Sequence, residues 1–375
     1  MRRWVPIIIA LLLLVLPACA SHAGLAQNMP QSSVPTRERT AQLFLTPPPT
    51  PGPIQLPDDD APHDVLTEWW YTTGHLQATD GRQFGFEFVI FQSERFGYPV
   101  VYAAHFAITD HQAQQFSWAE RVDSHPRPPS TLPVVLSVAD WSLQITGNQL
   151  ALAARMDNYA LQLASRSIKP PVLESPGGFF SWAPATGSYY YSRTRLAVQG
   201  TLRVGTTDFA VQGQAWMDHQ WGNFIVGNQG GWNWFSIQLD DGRDVMLWQT
   251  HDTEGSVVLA SGTLVDPGGH PQYLSAEAFR IQPTGSWQSP HSGALYPSGW
   301  KIAIPAARLQ LTVTPVLQNQ ELQTVRSTGV MYWEGEVEIA GFADNRPVNG
   351  KGYVELTGYA RPTIQPTPSL PVPHS

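Results

Sequence analysis

Apolar side chains recur at every second position in several short runs of this chain. In RQFGFEFVIF, the residues Phe84, Phe86, Phe88 and Ile90 share one face of an extended strand. YAAHFAITD, ARLQLTVTPVL and YVELTGYA have the same strand chemistry. Turn signals separate the runs at Asp80-Gly81, Thr146-Gly147-Asn148, Asp241-Gly242, Pro267-Gly268-Gly269 and Asn349-Gly350. Because helical periodicity is weak throughout, the sequence predicts an all-β protein.

Two further patterns refine this prediction. NQLALAARMDNYALQL is the nearest candidate for a helix, but Asn158 interrupts it, so we expect two strands around Met156-Asp157-Asn158. Residues 68–91 and 232–250 each contain a tryptophan-rich strand, an Asp-Gly-Arg turn and a return strand. This similarity indicates either a duplication or a chance resemblance of two hairpins. Together with the strand spacing, it favours two β-barrel halves, which we assign to residues 61–215 and 216–362.

The chain begins with the features of an export signal. Arg2 and Arg3 precede an apolar run that is too short for a comfortable membrane span, and Leu16-Pro17-Ala18-Cys19 resembles a bacterial lipobox. Cys19 is the only cysteine, and lipidation explains a lone thiol in an exported protein better than chance does. The alternative is a plain secreted protein. We therefore predict a signal peptide over residues 1–19 and a lipoprotein anchored by Cys19 on the extracytoplasmic face of a membrane.

Composition limits the partners and the sources of stability. Residues 20–60 are predicted to be a proline-rich linker, and residues 363–375 a disordered tail. The net charge of −8 excludes the basic footprint of a nucleic-acid-binding protein. One cysteine cannot form an intrachain disulfide, so the fold must be held by burial. Few charged residues and 14 tryptophans suit an extracytoplasmic β-protein with an apolar cavity.

The stretch AWMDHQWGNF, residues 215–224, places an acid and an imidazole between two indoles. It is one of six ordered motifs, the others being EWWY, GWNWFSIQLDDG, YPSGW, YWEG and GYVELTGY. Together they resemble the AttH-like and hydroxyneurosporene synthase (carotenoid 1,2-hydratase) family from about His63 to Ala360. The resemblance implies two tandem lipocalin-like β-barrels. It implies less about activity, because the family also includes proteins described only as predicted secreted hydrolases or found beside export-type transporters.

The resemblance to the hydratases implies a catalytic role for this stretch. Adding water to an unactivated double bond requires a positioned acid and an aromatic wall beside the carbocation. Asp218 is the candidate acid, with His219 and Trp221 as further catalytic candidates. The hydratases then carry a Tyr-x-Asp, whereas this chain has Met246 and Trp248 in DVMLWQTHD. The other interpretation is that Asp218 and His219 form a buried hydrogen-bonded pair between the barrels.

A second group of residues forms the candidate ligand-binding set. In EWWY, Glu68 and Trp70 should share one face of a strand, and Trp69 and Tyr71 the other. Either Trp69 or Trp70 closes the base of a barrel, or the motif lines a pocket, where Glu68 would be an acid with a raised pKa. The complete candidate set is Glu68, Trp69, Trp70, Tyr71, Trp216, Trp232, Trp234 and Trp248.

Other site types have no motif support. No two histidines have the spacing of a helical metal site, and neither HExxH nor G-x-S-x-G occurs, so we predict no metal ion and no cofactor. YWEG and GYVELTGY, with Glu334, Glu336 and Glu355, read as structural strands. The leading prediction is a protein that binds or transfers a hydrophobic lipid or isoprenoid, beside a membrane and an ABC-type transporter permease. The alternatives are a hydratase that uses Asp218, and a scaffold for a membrane complex.

Overall fold

The computed structural model describes residues 52–95, 97–183, 186–224 and 230–360. In these residues nearly all regular structure is β, which confirms the predicted fold class. The only helices described are short 3-10 turns, at Asp58–Asp60, Pro176–Gly178, Ala276–Ala278 and Pro305–Ala307. None of the described helices is long and apolar enough to cross a membrane. The predicted signal peptide with Cys19, the predicted tail and most of the predicted linker lie outside the described residues.

The first sheet is an antiparallel meander whose two ends come together into a barrel. Its strands are β1 (Thr67–Ala78), β2 (Gln83–Ser93), β3 (Val101–Asp110), β4 (Gln115–Ser124), β5 (Val134–Val138), β6 (Trp141–Thr146), β7 (Gln149–Arg155), β8 (Tyr159–Ser167), β9 (Val172–Leu173), β10 (Phe179–Ala183), β11 (Thr186–Val204) and β12 (Thr207–Gly222). The order is β4-β3-β2-β1-β12-β11-β8-β7-β6-β5, with β9 and β10 paired to β11. β3 and β4 also pack against β5, which brings the sheet edges together.

The second sheet has a similar plan. Its strands are β13 (Gly231–Leu239), β14 (Asp244–His251), β15 (Val257–Val265), β16 (Pro271–Ser275), β17 (Arg280–Gln288), β18 (Leu295–Ile304), β19 (Leu309–Pro315), β20 (Glu321–Thr324), β21 (Val330–Ala343) and β22 (Arg346–Leu356). The order is β16-β15-β14-β13-β22-β21-β19-β18-β17, with β20 paired to β21. The two sheets form the two lipocalin-like barrels that the motifs predict.

Side chains fill the interior of both barrels. In the first barrel, β5 alternates buried and exposed residues, and the inward side chains pack around Trp141. The inward residues of β2, including Phe84, Phe86 and Phe88, belong to the same core. Trp300 and Trp333 have the corresponding place in the second barrel. The apolar alternation in the sequence therefore marks two packed cores.

Two local predictions are confirmed by the strand pairing. The break at 156–158 separates β7 from β8, which pair as a hairpin. The two Asp-Gly-Arg turns join β1 to β2 and β13 to β14, so they have equivalent places in the two barrels. In each turn the arginine bonds to the aspartate two residues before it, as Arg82 does to Asp80 and Arg243 to Asp241.

Two predicted boundaries do not coincide with the structural elements. The boundary between residues 215 and 216 falls inside β12, and the chain changes sheet between Gly222 and Gly231. The linker assignment is wrong at its end, because Asp60 is buried. Its carboxylate bonds to Arg193 and Tyr191, and its carbonyl accepts a bond from Trp70 Nε1 at 3.1 Å. A buried carboxylate needs such partners, and they fix this segment to the first barrel.

The barrels meet along the outward faces of β1, β2, β3, β11 and β12 on one side and of β13, β14, β21 and β22 on the other. We call this contact the seam. Its centre is an aromatic cluster of Tyr71, Val89, Tyr190, Trp216, Trp234, Met246 and Tyr353. Ion pairs clamp one end, where Lys169 and Arg195 of the first barrel bond to buried Asp244 of the second at 2.7 and 2.6 Å. Strands at the seam therefore bury both faces, and their outward side chains have little contact with water.

Candidate functional site

Alternation along β12 sends the predicted catalytic residues in opposite directions. Asp218 and Trp216 face the seam, whereas His219 and Trp221 face the interior of the first barrel. Successive side chains of a strand point to opposite faces, so no single pocket includes Asp218 together with His219. The structure therefore brings His219 and Trp221 together and places Asp218 apart from them.

Asp218 is a hub within the seam. Its carboxylate accepts hydrogen bonds from Tyr190 OH at 2.8 Å, from Trp216 Nε1 at 2.6 Å and from Ser192 Oγ. Trp234 Nε1 in turn donates to Tyr190 OH at 3.0 Å, which links the two barrels. Burial raises the pKa of Asp218 to about 7, although all three hydrogen bonds lower it. These donors occupy the carboxylate, and Tyr190 connects it to Trp234 of the second barrel.

His219 belongs to a different cluster, at one end of the first barrel. Its Nε2 lies 2.7 Å from Glu68 Oε1, and His63 Nδ1 lies 2.7 Å from the same oxygen. Burial opposes a charge on His63, but its bonds to Asp59 and Glu68 outweigh burial and raise its pKa to about 9. Burial lowers the pKa of His219. Trp221 stacks on His63 with a centroid distance of 4.2 Å, so its indole supports this cluster.

The EWWY motif contributes to both sites. Glu68 and Trp70 face the interior of the first barrel, where Trp70 stacks on His219 at 4.6 Å. Trp69 and Tyr71 face the seam. The predicted face-sharing is thus correct, and the candidate ligand-binding set divides between the two places.

The second barrel contributes two carboxyl groups beside Tyr71. Glu334 and Glu355 are directly opposite each other on β21 and β22. Tyr71 OH donates to Glu334 Oε1 at 2.6 Å, and Trp232 Nε1 donates to Glu355 Oε2 at 2.9 Å. Burial, and then the neighbouring Glu355, raise the pKa of Glu334 well above its ordinary value. Burial raises the pKa of Glu355 to about 7. Burial therefore raises the pKa of both carboxyls, and the opposed Glu355 adds to the shift at Glu334 because like charges repel.

A third acid, Glu87, lies deeper along the seam. Tyr332 OH donates to Glu87 Oε1 at 3.2 Å, and Glu87 Oε2 is buried without a hydrogen-bond partner in the described residues. Burial raises the pKa of Glu87 to about 8. His105, whose Nδ1 lies 2.7 Å from Tyr332 OH, is also buried, and burial lowers its pKa to about 3. It therefore supplies no positive charge to this acid at neutral pH.

Half-buried aromatic side chains surround the surface end of these acids. They are Trp69, Phe91, Phe180, Trp232 and Trp248. Strand register places them at the same end of the seam, because Trp69 is opposite Phe91, and Trp248 is opposite Trp234, which is opposite Glu355. We call this group the aromatic mouth. Glu355 is partly exposed beside it, whereas Glu334 is fully buried behind it.

The sequence interpretation missed the acids of the second barrel and Glu87. It read Glu334 and Glu355 as structural strand residues. The available signal was their position beside aromatic residues in YWEG and YVELTGY, because a charged residue flanked by apolar ones on a strand faces either solvent or a second buried surface. His63 was missed as well, because Asp59 lies in the segment that was read as a linker and His219 is distant in sequence.

The described residues bring together one set of side chains of the type that binds metals, His63, Glu68 and His219. One ligand atom of each lies within 4.8 Å of the others. The absence of a helical motif led to the prediction of no metal ion, but this set assembles from a loop and two neighbouring strands. A sequence motif with short spacing does not detect such a set.

Comparisons with known proteins agree with the motifs. The sequence matches the AttH-like family over residues 47–359. No curated protein matches the chain. A Nitrosomonas europaea protein assigned as AttH has a crystal structure that is similar with a TM-score of 0.75 and 28% identity, over 84% of this chain and 100% of its own. Kievitone hydratase from Nectria haematococca is similar with a TM-score of 0.64 and 17% identity, over 81% of this chain and 93% of its own, which shows a shared fold. The chain belongs to the AttH-like family.

Proposed function

We propose that this protein binds an apolar, unsaturated molecule at the aromatic mouth and adds water across one of its double bonds, with Glu355 as the proton donor. One observation carries this proposal. Glu355 is a partly exposed carboxyl with a pKa of about 7, and it accepts a hydrogen bond from half-buried Trp232 of the aromatic mouth. An acid with a pKa near the working pH is both present in the protonated form and able to release its proton.

The surrounding groups suit each step of such a hydration. Glu355 donates its proton to one alkene carbon, which leaves a positive charge on the other carbon. Trp232, whose Nε1 donates to Glu355, and Trp248 place two indoles in the aromatic mouth, and a cation over an indole face gains about 0.5–2 kcal/mol. Water then bonds to the cation and returns a proton to the Glu355 carboxylate. The sum of these steps is substrate plus water, and the acid is regenerated.

Glu334 lies opposite Glu355 on the neighbouring strand, and Tyr71 donates a hydrogen bond to Glu334. A neighbouring protonated carboxyl adds no charge, so the seam remains a low-dielectric place in which Glu355 keeps its proton. The fold is compatible with this chemistry, since a solved structure with the same fold is a hydratase. This role places the acid on β22 of the second barrel instead of on Asp218.

The second candidate is binding or transfer of a hydrophobic molecule without reaction. The observation that favours it is the pair Met246 and Trp248, which replace the Tyr-x-Asp expected of the hydratases. Both face the seam, and Trp248 is part of the aromatic mouth. Aromatic and thioether side chains provide adhesive apolar surface and no proton donor of useful acidity.

The test separates binding from reaction. The purified protein is titrated with acyclic carotenoids and other isoprenoids while tryptophan fluorescence is followed, and the products are analysed by mass spectrometry for the gain of one water. We expect Glu355→Gln to lower the hydration rate by about 100-fold or more and to leave binding nearly unchanged. Glu338→Gln, an exposed glutamate of β21, is the matched control and should retain full activity.

Each result decides between the candidates. Hydration that survives Glu355→Gln would reject Glu355 as the acid. Binding without product in the wild type, with every isoprenoid tried, would favour the transfer candidate. A protein that binds none of these molecules, and that copurifies with no apolar molecule, would reject both.

We also propose that lipidated Cys19 holds the folded part at the extracytoplasmic face of a membrane. The proposal rests on the lipobox-like LPAC sequence and on the benefit of a membrane as the reservoir of an apolar substrate. An ABC-type transporter permease at that membrane is the partner class that the location favours. Labelling with a palmitate analogue tests the anchor, and label retained by Cys19→Ser would reject it. Crosslinking in membranes tests the partner.

A further inference from the structure

We propose that His63, Glu68 and His219 bind one divalent transition-metal ion of the Zn²⁺ class at the end of the first barrel. This site is separate from the aromatic mouth, because all three side chains face the barrel interior or its rim, whereas the mouth lies in the seam. Two imidazoles and one carboxylate form a set that catalytic zinc sites use, with a fourth position left for water.

The distances bring three ligand atoms to one point. Glu68 Oε1 lies 2.7 Å from His63 Nδ1 and 2.7 Å from His219 Nε2. With zinc bonds of about 2.0–2.2 Å, neighbouring ligand atoms lie roughly 3.4 Å apart, so metal binding lengthens each contact by roughly 0.7 Å. The imidazole centroids are 5.7 Å apart, close to the roughly 5 Å expected of two imidazoles on one tetrahedral ion. The ion needs only a small expansion of the cluster.

Outer hydrogen bonds hold His63 and Glu68 in position, and ring stacking holds His219, whose Nδ1 has no hydrogen-bond partner among the described residues. Asp59 Oδ1 lies 3.3 Å from His63 Nε2, which gives the carboxylate–histidine pair common around zinc. Glu68 Oε2 accepts bonds from the His63 backbone N–H at 2.8 Å and from Gln92 Nε2 at 3.1 Å, so Oε1 remains directed at the two imidazoles. Stacking on Trp221 and Trp70 fixes the ring planes. Such preorganisation lowers the free-energy cost of assembling the site.

A second cluster of two histidines and one glutamate does not bring its imidazoles to a single carboxylate oxygen. In the seam, His75 Nδ1 and His111 Nε2 each lie 2.7 Å from Glu336, but they contact different oxygens of that carboxylate. The two imidazoles therefore lie on separate sides of Glu336, and the arrangement satisfies a buried charge by two ion pairs. In the cluster around Glu68, both imidazoles meet at a single oxygen.

An opening gives the proposed site access to solvent. A cleft of about 230 Å³ is lined by His63, Trp221, Tyr189, Phe179 and Asn223, among others. The His63 side chain is 21% exposed, whereas the side chains of Glu68 and His219 are fully buried. An ion can therefore enter beside His63, and the cleft leaves room for a water as the fourth ligand.

Zinc binding by the untagged, chelator-treated protein tests the proposal. We expect calorimetry and elemental analysis to give one zinc per chain, and Co²⁺ to give the visible absorption of a four-coordinate ion. His63→Ala should weaken zinc binding by about 100-fold or more, and Asp59→Asn by about 10- to 100-fold. His125→Ala is the matched control, because His125 is also a half-buried imidazole stacked on an aromatic ring, Tyr102. It should bind zinc as the wild type does.

The outcomes are distinct. A wild type that takes up less than one equivalent of zinc at micromolar concentration would overturn the proposal, and the cluster would then be a hydrogen-bonded clamp. Unchanged zinc affinity in a folded His63→Ala protein would overturn it as well. If His63→Ala fails to fold, Asp59→Asn decides, since it leaves the stacking on Trp221 intact. None of these measurements depends on hydration activity.

Discussion

Glu87→Gln should stabilise the protein at neutral and alkaline pH. Glu87 is fully buried in the seam, and its Oε2 has no hydrogen-bond partner among the described residues. Burial raises its pKa from 4.5 to about 8, so the folded protein must hold a proton that the unfolded chain releases. Glutamine has the same shape, accepts the bond from Tyr332 and has no proton to lose.

The magnitude follows from the difference in pKa. Between pH 4.5 and about 8 the folded state binds more protons at this site than the unfolded state does, so stability falls as pH rises. Each pH unit in that window costs at most about 1.4 kcal/mol, which gives an upper limit of about 5 kcal/mol at pH 8. The stability of Glu87→Gln should therefore match that of the wild type near pH 4.5 and exceed it by a few kcal/mol at pH 8.

Urea unfolding followed by tryptophan fluorescence, at half-unit steps from pH 4.5 to 9, measures this difference. Glu254→Gln, at an exposed turn, is the control and should leave the pH dependence unchanged. The charge of Glu87 also raises the pKa of Glu334, so part of the change in pH dependence belongs to Glu87 and Glu334 together. Parallel stability curves for wild type and Glu87→Gln across this range would refute the assignment of a buried, protonated acid at Glu87.

Three other substitutions have defined outcomes. Glu336→Gln should have the opposite pH dependence, because two histidines outweigh burial and lower the pKa of Glu336 from 4.5 to about 2. Glu336→Gln should lower the free energy of unfolding, measured with urea, by about 3 kcal/mol at pH 7, and this loss should shrink as pH falls from 4.5 towards 2. Asp244→Ala removes the carboxylate that pairs with two buried cations and should lower the free energy of unfolding by about 3–5 kcal/mol. Calorimetry should then show separate transitions for the two barrels. Gly335→Ala places a Cβ 1.8 Å from the Trp333 ring and should lower the melting temperature, whereas an unchanged value would contradict this packing.

The sequence was sufficient to predict the fold because its local signals agree with the final sheets. β5, β6 and β7 alternate buried and exposed residues as the sequence does, and the Asp-Gly turns lie between paired strands. The family motifs added the two-barrel plan. The weaker predictions concern elements whose environment depends on distant residues. Asp60 has the composition of a linker, and only Arg193 and Tyr191, far along the chain, make it a buried residue.

The candidate site was less predictable for a related reason. An acid between apolar neighbours on a strand more often faces solvent than a second buried surface, so the sequence interpretation did not place Glu87, Glu334 and Glu355 in an interface. They become buried because a second barrel covers the outer face of the sheet that carries them. The effect of this cover is visible in β1, β2 and β3, where both faces are buried over most of each strand. For Asp218 and His219, the two-residue period of a strand already places them on opposite faces.

The distribution of cations along the seam explains why its carboxyl groups differ. At the clamped end, Asp244 bonds to a lysine and an arginine, and histidines flank Glu336 and keep it ionised. At the aromatic mouth, the polar contacts described for Glu334, Glu355 and Asp218 come from neutral donors, namely tyrosine, serine and indole groups. Burial raises the pKa of Asp218 and of Glu355, whose donors are neutral, whereas two histidines outweigh burial and lower the pKa of Glu336. The same interface thus joins the barrels through ion pairs at one end and holds carboxyl groups with raised pKa values at the other, where side chains of both barrels form the aromatic mouth.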